Sequence, residues 1–266
     1  MSSSRIGNNR GGIVLQERDK HLLRELSIMR VIDRDQARVV AGFPSIMLAN
    51  RRLLALARAR LLKRFFIGTV LGGKKALYSL SLLGANLAQV PLSGPRRRND
   101  EAVTVDFFVY HQLGINDIYC TLKYHPIADT RLVRWESFNR PIDSHLSLKP
   151  DAYLEVQSPQ KTIAAFLEFD LGHENLVIWR AKIQKYLRYA VSGEFERGFH
   201  QPQFGVLAVT DSDRRCEALR KATAAITDKI FWFTTKDSIH REGFCSLIWL
   251  RPRGGPRGDH GPISLL

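Results

Sequence analysis

Two acidic side chains stand at the end of an apolar segment in FLEFDLGHENL, residues 166–176. Glu168 and Asp170 are two positions apart. Because side chains alternate between the two faces of a strand, both carboxylates would lie on one face. Asp151 follows Pro150 at the start of an earlier strand segment, and hairpin pairing would bring it close to Glu168. Three acids on neighbouring strands repel one another unless a cation or protons offset their charge.

Carboxylate oxygens are the hard ligands that suit Mg²⁺ or Mn²⁺. The sequence therefore predicts a metal site formed by Asp151, Glu168 and Asp170. The following helix offers Lys182 and Lys185, which are three positions apart and so share a helix face. Either lysine could stabilise charge that develops on a phosphate. The alternative is that the two acids are only polar residues at a strand end.

The segments around these residues predict an α/β domain over residues 101–250. A mixed sheet flanked by helices is expected, because strand and helix patterns alternate along this part of the chain. The predicted strands are 131–138, 148–156, 161–171, 203–212, 230–235 and 246–250, and the predicted helices are 101–124, 174–193 and one near 213–228.

Charge is distributed unevenly along the 266 residues, whose formal net charge is +14. Residues 1–98 hold 19 Lys and Arg against 5 Asp and Glu, whereas the remaining residues hold 21 of each kind. A basic domain is suited to a polyanion, since Lys and Arg neutralise phosphates and release counterions. Double-stranded DNA is the predicted partner. An anionic membrane surface is the alternative, although no polybasic helix lies beside an apolar anchor to support it.

The basic part of the chain predicts three helices followed by a hairpin. Asp33 and Ser45 are suited to begin the second and third helices, and Gly72 and Gly73 separate two short strands. This order predicts a winged helix-turn-helix over residues 13–88, whose third helix enters the major groove. Arg and Asn can read base edges there, and Lys on the hairpin can contact phosphates. The predicted DNA-binding residues are Asn50, Arg51, Arg52, Arg58, Lys74 and Lys75.

The remaining segments predict how the domains are bounded and where the protein works. Residues 1–12 and 251–266 are typical of disordered tails, and residues 89–100, which are rich in Pro, Gly and charge, of a linker. The basic run Arg96–Arg98 within that linker could add phosphate contacts. No apolar segment of about 18 residues predicts a membrane helix. The residues at the N-terminus do not resemble a secretory signal, and three scattered cysteines fit a reducing cytoplasm.

Several motifs resemble known families. Pro150-Asp151 and Glu168 are similar to the acidic part of the motif of the PD-(D/E)XK nuclease fold. Asp170 occupies the position where that motif usually has its lysine, and Lys182 from the next helix would replace that lysine.

A second resemblance rests on the order of several segments. An Arg-rich third helix is followed by the segments HQLGIND, KPDAYLEV, FLEFDLG and KIQKYLRY. In this order they resemble the replication-relaxation family of bacterial mobile elements, which includes the MobC-type plasmid relaxases. The resemblance covers about residues 17–210.

The resemblance implies an α+β protein of two domains. One is an N-terminal winged helix-turn-helix, and the other is a C-terminal restriction-endonuclease-like mixed sheet flanked by helices. It also implies a metal-dependent DNA-nicking relaxase or endonuclease in the bacterial cytoplasm. Such a protein could act with other replication or relaxosome proteins. His111 and Asn116 fall on the first-helix pattern of the family, where they would pack against or cap the site. The alternative is a catalytically degenerate regulator or accessory factor.

Tyr186 and Tyr189 could be nucleophiles of a covalent relaxase, although Tyr186 lies in an apolar stripe that favours packing.

Overall fold

The computed structural model describes residues 13–69, 72–93, 102–127, 129–253 and 265. The predicted tail at 1–12, the run Arg96–Arg98 and most of the predicted tail at 251–266 lie outside the described residues. The chain divides into two compact units, residues 1–120 and 121–266. Within the described residues there are nine helices, a two-stranded sheet and a five-stranded mixed sheet, which confirms a mixed α+β structure.

The first unit begins with three helices whose starts are set by polar caps. The Asp33 side chain accepts hydrogen bonds from the backbone N–H groups of Asp35 and Gln36, and Ser45 accepts one from Leu48. These caps satisfy N–H groups that have no partner within the first helical turn, so both predicted helix starts are confirmed. The elements are α1 (Glu17–Met29), α2 (Arg34–Val40), α3 (Ile46–Arg58), β1 (Leu62–Thr69), β2 (Gly73–Leu80) and α4 (Leu82–Ala88).

Strands β1 and β2 form the hairpin that Gly72 and Gly73 predict, paired antiparallel from Leu62 opposite Leu80 onward. Gly72 has a φ of 78°, in the left-handed region that favours glycine. The backbone of Ile32 makes two hydrogen bonds with the backbone of Tyr78, each of 2.9 Å. The hairpin is therefore fixed to the segment between α1 and α2.

A long helix, α5 (Ala102–Tyr124), follows. The sequence places it in the C-terminal domain, but its residues up to Cys120 belong to the first compact unit. The Asn116 side chain is buried and donates to the carbonyl oxygens of Met29 at 3.1 Å and Val31 at 2.6 Å. The Tyr119 hydroxyl donates to Glu25. These bonds fix α5 against the end of α1, so Asn116 packs within the first unit.

The second unit contains a five-stranded sheet in the order β3-β4-β5-β6-β7. The pairs β3–β4 and β4–β5 are antiparallel, whereas β5–β6 and β6–β7 are parallel, so the sheet is mixed as predicted. The elements are β3 (Arg131–Ser137), β4 (Ala152–Gln157), β5 (Thr162–Asp170), α6 (Leu176–Val191), α7 (Glu194–Phe199), β6 (Gly205–Thr210), α8 (Asp213–Ala224), β7 (Phe231–Thr235) and α9 (Lys236–Glu242).

The end of the second unit differs from the prediction. Residues 246–250 do not form a sheet strand. Only an isolated antiparallel bridge joins Leu250 to Phe233. Helices α7 and α9 were not predicted; they span six and seven residues.

The core of the second unit lies between the sheet and α6. Trp179, Ile183 and Tyr186 project from α6 and pack with aromatic side chains that include Phe166 and Phe231. Tyr186 is fully buried, which favours packing over a nucleophilic role. No helix in the described part of the chain is long and apolar enough to span a membrane.

Candidate functional site: a buried ion-pair cluster and a basic face

Asp151 lies beside the end of β5, where hairpin pairing of β4 and β5 predicts it. Its backbone N–H donates to the Leu167 carbonyl at 3.1 Å, and its Oδ2 accepts from the Phe169 N–H at 2.8 Å. These two bonds hold the carboxylate next to the backbone that carries Glu168. The two predicted acids therefore occupy the same end of the sheet.

Glu168 is 3% exposed, and both of its carboxylate oxygens have partners. Lys182 Nζ lies 2.9 Å from Oε2, and the Tyr186 hydroxyl donates to Oε1 at 2.5 Å. Lys182 and Tyr186 are four positions apart, so one face of α6 presents both side chains to the strand. Lys182 also lies 3.2 Å from Glu174, in the loop before α6. The buried carboxylate is thus held by one cation and one hydroxyl.

Burial raises the pKa of Glu168 to about 7, the repulsion from Asp151 adds to this rise, and Lys182 opposes it. Burial lowers the pKa of Lys182, but attraction to Glu168, Asp151 and Glu174 outweighs it and raises that pKa above its ordinary value. Burial and the adjacent Glu168 raise the pKa of Tyr186 well above its usual range. Near neutral pH the lysine is therefore charged, the tyrosine is neutral, and the carboxyl group of Glu168 is poised to exchange a proton.

Asp170 has a different partner, although it lies on the same strand face. Arg215, at the start of α8, donates from Nε to Oδ1 at 3.0 Å and from Nη2 to Oδ2 at 2.7 Å. Such a two-pronged pair neutralises the carboxylate. Arg215 also donates to the Glu174 carbonyl. Asp170 therefore forms a second ion pair and is not a third member of one acidic cluster.

In this arrangement two of the predicted metal ligands have cationic partners within the protein. Both oxygens of Glu168 are engaged, and Asp170 is neutralised by Arg215. Among the described residues, no group of three or more His, Cys, Asp and Glu side chains could hold a metal ion. Lys182 and Arg215 offset the repulsion among the acids. This is the role that the sequence analysis assigns to a metal ion.

The structure separates the two candidate lysines of α6. Lys182 joins the buried cluster and pairs with Glu168. Lys185 instead donates to the Ser147 carbonyl at 3.3 Å. Although the two residues share a helix side, only Lys182 is opposite Glu168.

The six predicted DNA-binding residues fall into two groups. Arg51, Arg58 and Lys74 are exposed, and Asn50 is half-buried. Arg52 instead pairs with the fully buried Asp19 and donates to the Val14 carbonyl at 2.7 Å. Lys75 pairs with Asp33, the cap of α2. The charges of Arg52 and Lys75 are therefore paired within the fold, whereas Arg51, Arg58 and Lys74 are exposed.

A sequence model of the replication-relaxation family matches residues 23–201, more than half of the chain. The chain belongs to the replication-relaxation family. Comparisons with curated proteins and with solved structures gave no match. The family match contains Asp151, Glu168 and Lys182, whereas Arg215 lies beyond it.

Sequence reasoning missed two features of this replication-relaxation protein. Arg215 follows the helix cap Ser212 in DSDRRCEALR, a position with no local signal of a distant carboxylate partner. On the hairpin, Lys63 and Arg64 are exposed cations, and the Arg64 guanidinium lies 4.6 Å from the centre of the Phe66 ring, which is 42% exposed. The alternation of basic and aromatic residues in LKRFFIGT is the signal that could have indicated these hairpin residues.

The Glu168 pKa gives a pH-dependent prediction. Its folded value of about 7 lies above the ordinary value of 4.5, so between these two pH values the folded protein retains a proton that the unfolded chain releases. The Glu168 proton therefore contributes roughly 3 kcal/mol to the free energy of unfolding below pH 4.5, and this contribution is lost as pH rises through about 7.

An NMR titration of the Glu168 carboxyl carbon should show a midpoint near neutrality. In Glu168→Gln, that part of the pH dependence of unfolding should disappear. A midpoint at the ordinary value would contradict the buried pair.

Proposed function

We propose that this protein binds double-stranded DNA during the replication or transfer of a plasmid or other mobile element, and that residues 13–88 act as a winged helix-turn-helix. The observation that carries the proposal is the outward face of α3, where exposed arginines stand opposite a buried apolar stripe. Membership of the replication-relaxation family suggests the biological setting. The basic excess of residues 1–98 supports a polyanionic partner.

Helix α3 has the pattern that a DNA-reading helix requires. Ala49, Leu53 and Leu56 are buried and hold the helix against the first unit. Met47 and Arg51 are exposed and one turn apart near the helix start, and Arg58 is exposed at the helix end. Residues near the start of such a helix contact base edges, and arginine can pair with guanine through two hydrogen bonds.

The hairpin supplies further cations to the same unit. Lys63, Arg64 and Lys74 are exposed on its strands. In a winged helix-turn-helix such side chains contact phosphates, which fix the orientation of the protein without reading sequence.

The salt dependence of binding tests this proposal. The full chain is titrated into a labelled plasmid-derived duplex at several salt concentrations. We expect the logarithm of affinity to fall linearly with the logarithm of salt, with a slope of about −3 to −5 if three to five of these cations neutralise phosphates. Affinity that is absent at low salt, or that does not change with salt, would contradict the proposal.

The buried cluster favours a regulatory or accessory DNA-binding role over metal-dependent cleavage, since its carboxylates are already neutralised by Lys182 and Arg215. DNA nicking with Mg²⁺ or Mn²⁺ remains the second candidate, because Asp151, Glu168 and Lys182 share one end of the sheet. Incubation with supercoiled plasmid and either metal distinguishes the two. We expect no nicking above that of Glu168→Ala. Metal-dependent nicking that is lost in both Glu168→Ala and Asp151→Ala would favour the second candidate.

A further inference from the structure

One face of the hairpin combines cations with an exposed aromatic ring. In the register of β1 and β2, Phe66 lies opposite Ala76, and Gly68 lies opposite Lys74. Residues directly opposite one another share a face, as do residues two apart on one strand. Arg64, Phe66 and Lys74 therefore lie on the same side. Tyr78, opposite Arg64 on that side, is buried, so we call only the exposed part formed by Arg64, Phe66 and Lys74 the open face.

The other side of the hairpin explains why the open face stays outward. Ile67 and Leu77 point away from Phe66 and pack with Val109 and neighbouring apolar residues. The Tyr110 hydroxyl donates to the carbonyl of Gly68 and fixes the strand near its end. Because one side of the hairpin is buried, its register is strongly specified. That register places Phe66 on the other side, where its ring is exposed.

The open face has the shape and chemistry to hold a planar ring. The Arg64 guanidinium lies 4.6 Å from the centre of the Phe66 ring, which is 42% exposed. Phe66 and Lys74 line an open depression of about 540 Å³. A Cβ built at Gly68 would meet nothing within 4 Å, so the space beside Phe66 is open.

Exposed aromatic rings beside cations bind single-stranded nucleic acid, because bases stack on the ring while cations contact the backbone. In a duplex the base faces are covered by their neighbours, so a ring on the protein surface has nothing to stack on. We propose that the open face binds single-stranded DNA, with an unpaired base on Phe66 and phosphates near Arg64 and Lys74. This inference rests on the proposed DNA-binding function and adds a second, unpaired substrate to it.

Binding of two probes by the full chain tests the inference. The probes are a labelled oligodeoxythymidine and a labelled duplex, both at one low salt concentration. We expect Phe66→Ala to weaken binding of the oligodeoxythymidine roughly tenfold or more, and to change duplex binding less than about twofold. Gly68→Val should act in the same direction, because its side chain fills the space beside the ring. Phe66→Trp should retain binding, since indole also stacks. The matched control is Phe107→Ala, whose ring is 43% exposed on α5.

Each other outcome has a distinct meaning. If Phe66→Ala leaves oligodeoxythymidine binding unchanged, or weakens duplex binding equally, the inference is overturned. It is also overturned if the parent binds the duplex but not the oligodeoxythymidine, and the proposed function then stands. If the parent binds neither probe, the proposed function fails and the inference fails with it.

Discussion

Replacing Lys182 with methionine should lower the free energy of unfolding by about 3–5 kcal/mol at pH 8 to 9, the usual cost of removing one partner of a buried ion pair. The substitution leaves Glu168, which is 3% exposed, without its cation. At about pH 5 the effect should be smaller, because Glu168 is then mostly protonated in the parent as well. Urea unfolding at both pH values measures the difference.

Two further variants make the Lys182 prediction specific. Lys182→Met combined with Glu168→Gln should recover much of the lost stability, since the neutral amide no longer needs a cation. Lys185→Met is the matched control on the same helix and should cost less than about 1 kcal/mol, because Lys185 only donates to the Ser147 carbonyl. Equal losses in the two lysine variants, or no recovery in the double variant, would show that the Glu168 pair does not hold the unit together.

The double substitution Arg51→Ala with Arg58→Ala should weaken duplex binding roughly 100-fold at a fixed low salt concentration. It should also reduce the magnitude of the salt slope by about 1 for each arginine that contacts a phosphate. Both side chains are exposed on α3, so their removal should change stability by less than about 0.5 kcal/mol. Fluorescence anisotropy across a salt series measures affinity and slope together.

The matched control for this pair is Arg180→Ala with Arg188→Ala. These two arginines are exposed on α6 of the second unit, and their replacement removes the same charge. Equal weakening by both pairs would mean that only net charge attracts DNA, and α3 would then not be the reading helix.

The local parts of this fold could be predicted because neighbouring residues determine them. Asp33 and Ser45 cap helices through bonds to N–H groups two or three positions away. Gly72 permits the positive φ of the hairpin turn. Pairing of β4 with β5, which are close in sequence, was enough to bring Asp151 beside Glu168.

The rest of the site depends on partners that are distant in sequence. Asp170 and Arg215 are 45 positions apart, and nothing near either residue indicates the other. Arg52 likewise appears free in a linear pattern of arginines, although Asp19 pairs with it from 33 positions away. The periodicity of α5 predicts a helix, but it does not say which unit that helix packs against. Charge pairing, and with it the fit of a metal, therefore required the three-dimensional structure.

We propose that the exposed face of α3 contacts duplex DNA, and site-specific photocrosslinking is the decisive test of this contact. A photoreactive amino acid replaces Met47, which is 79% exposed at the start of α3, or Val191, which is 86% exposed at the end of α6. With a bound duplex, illumination should give a covalent protein–DNA product at position 47 and little at position 191. A product at position 191 with none at position 47 would contradict the claim.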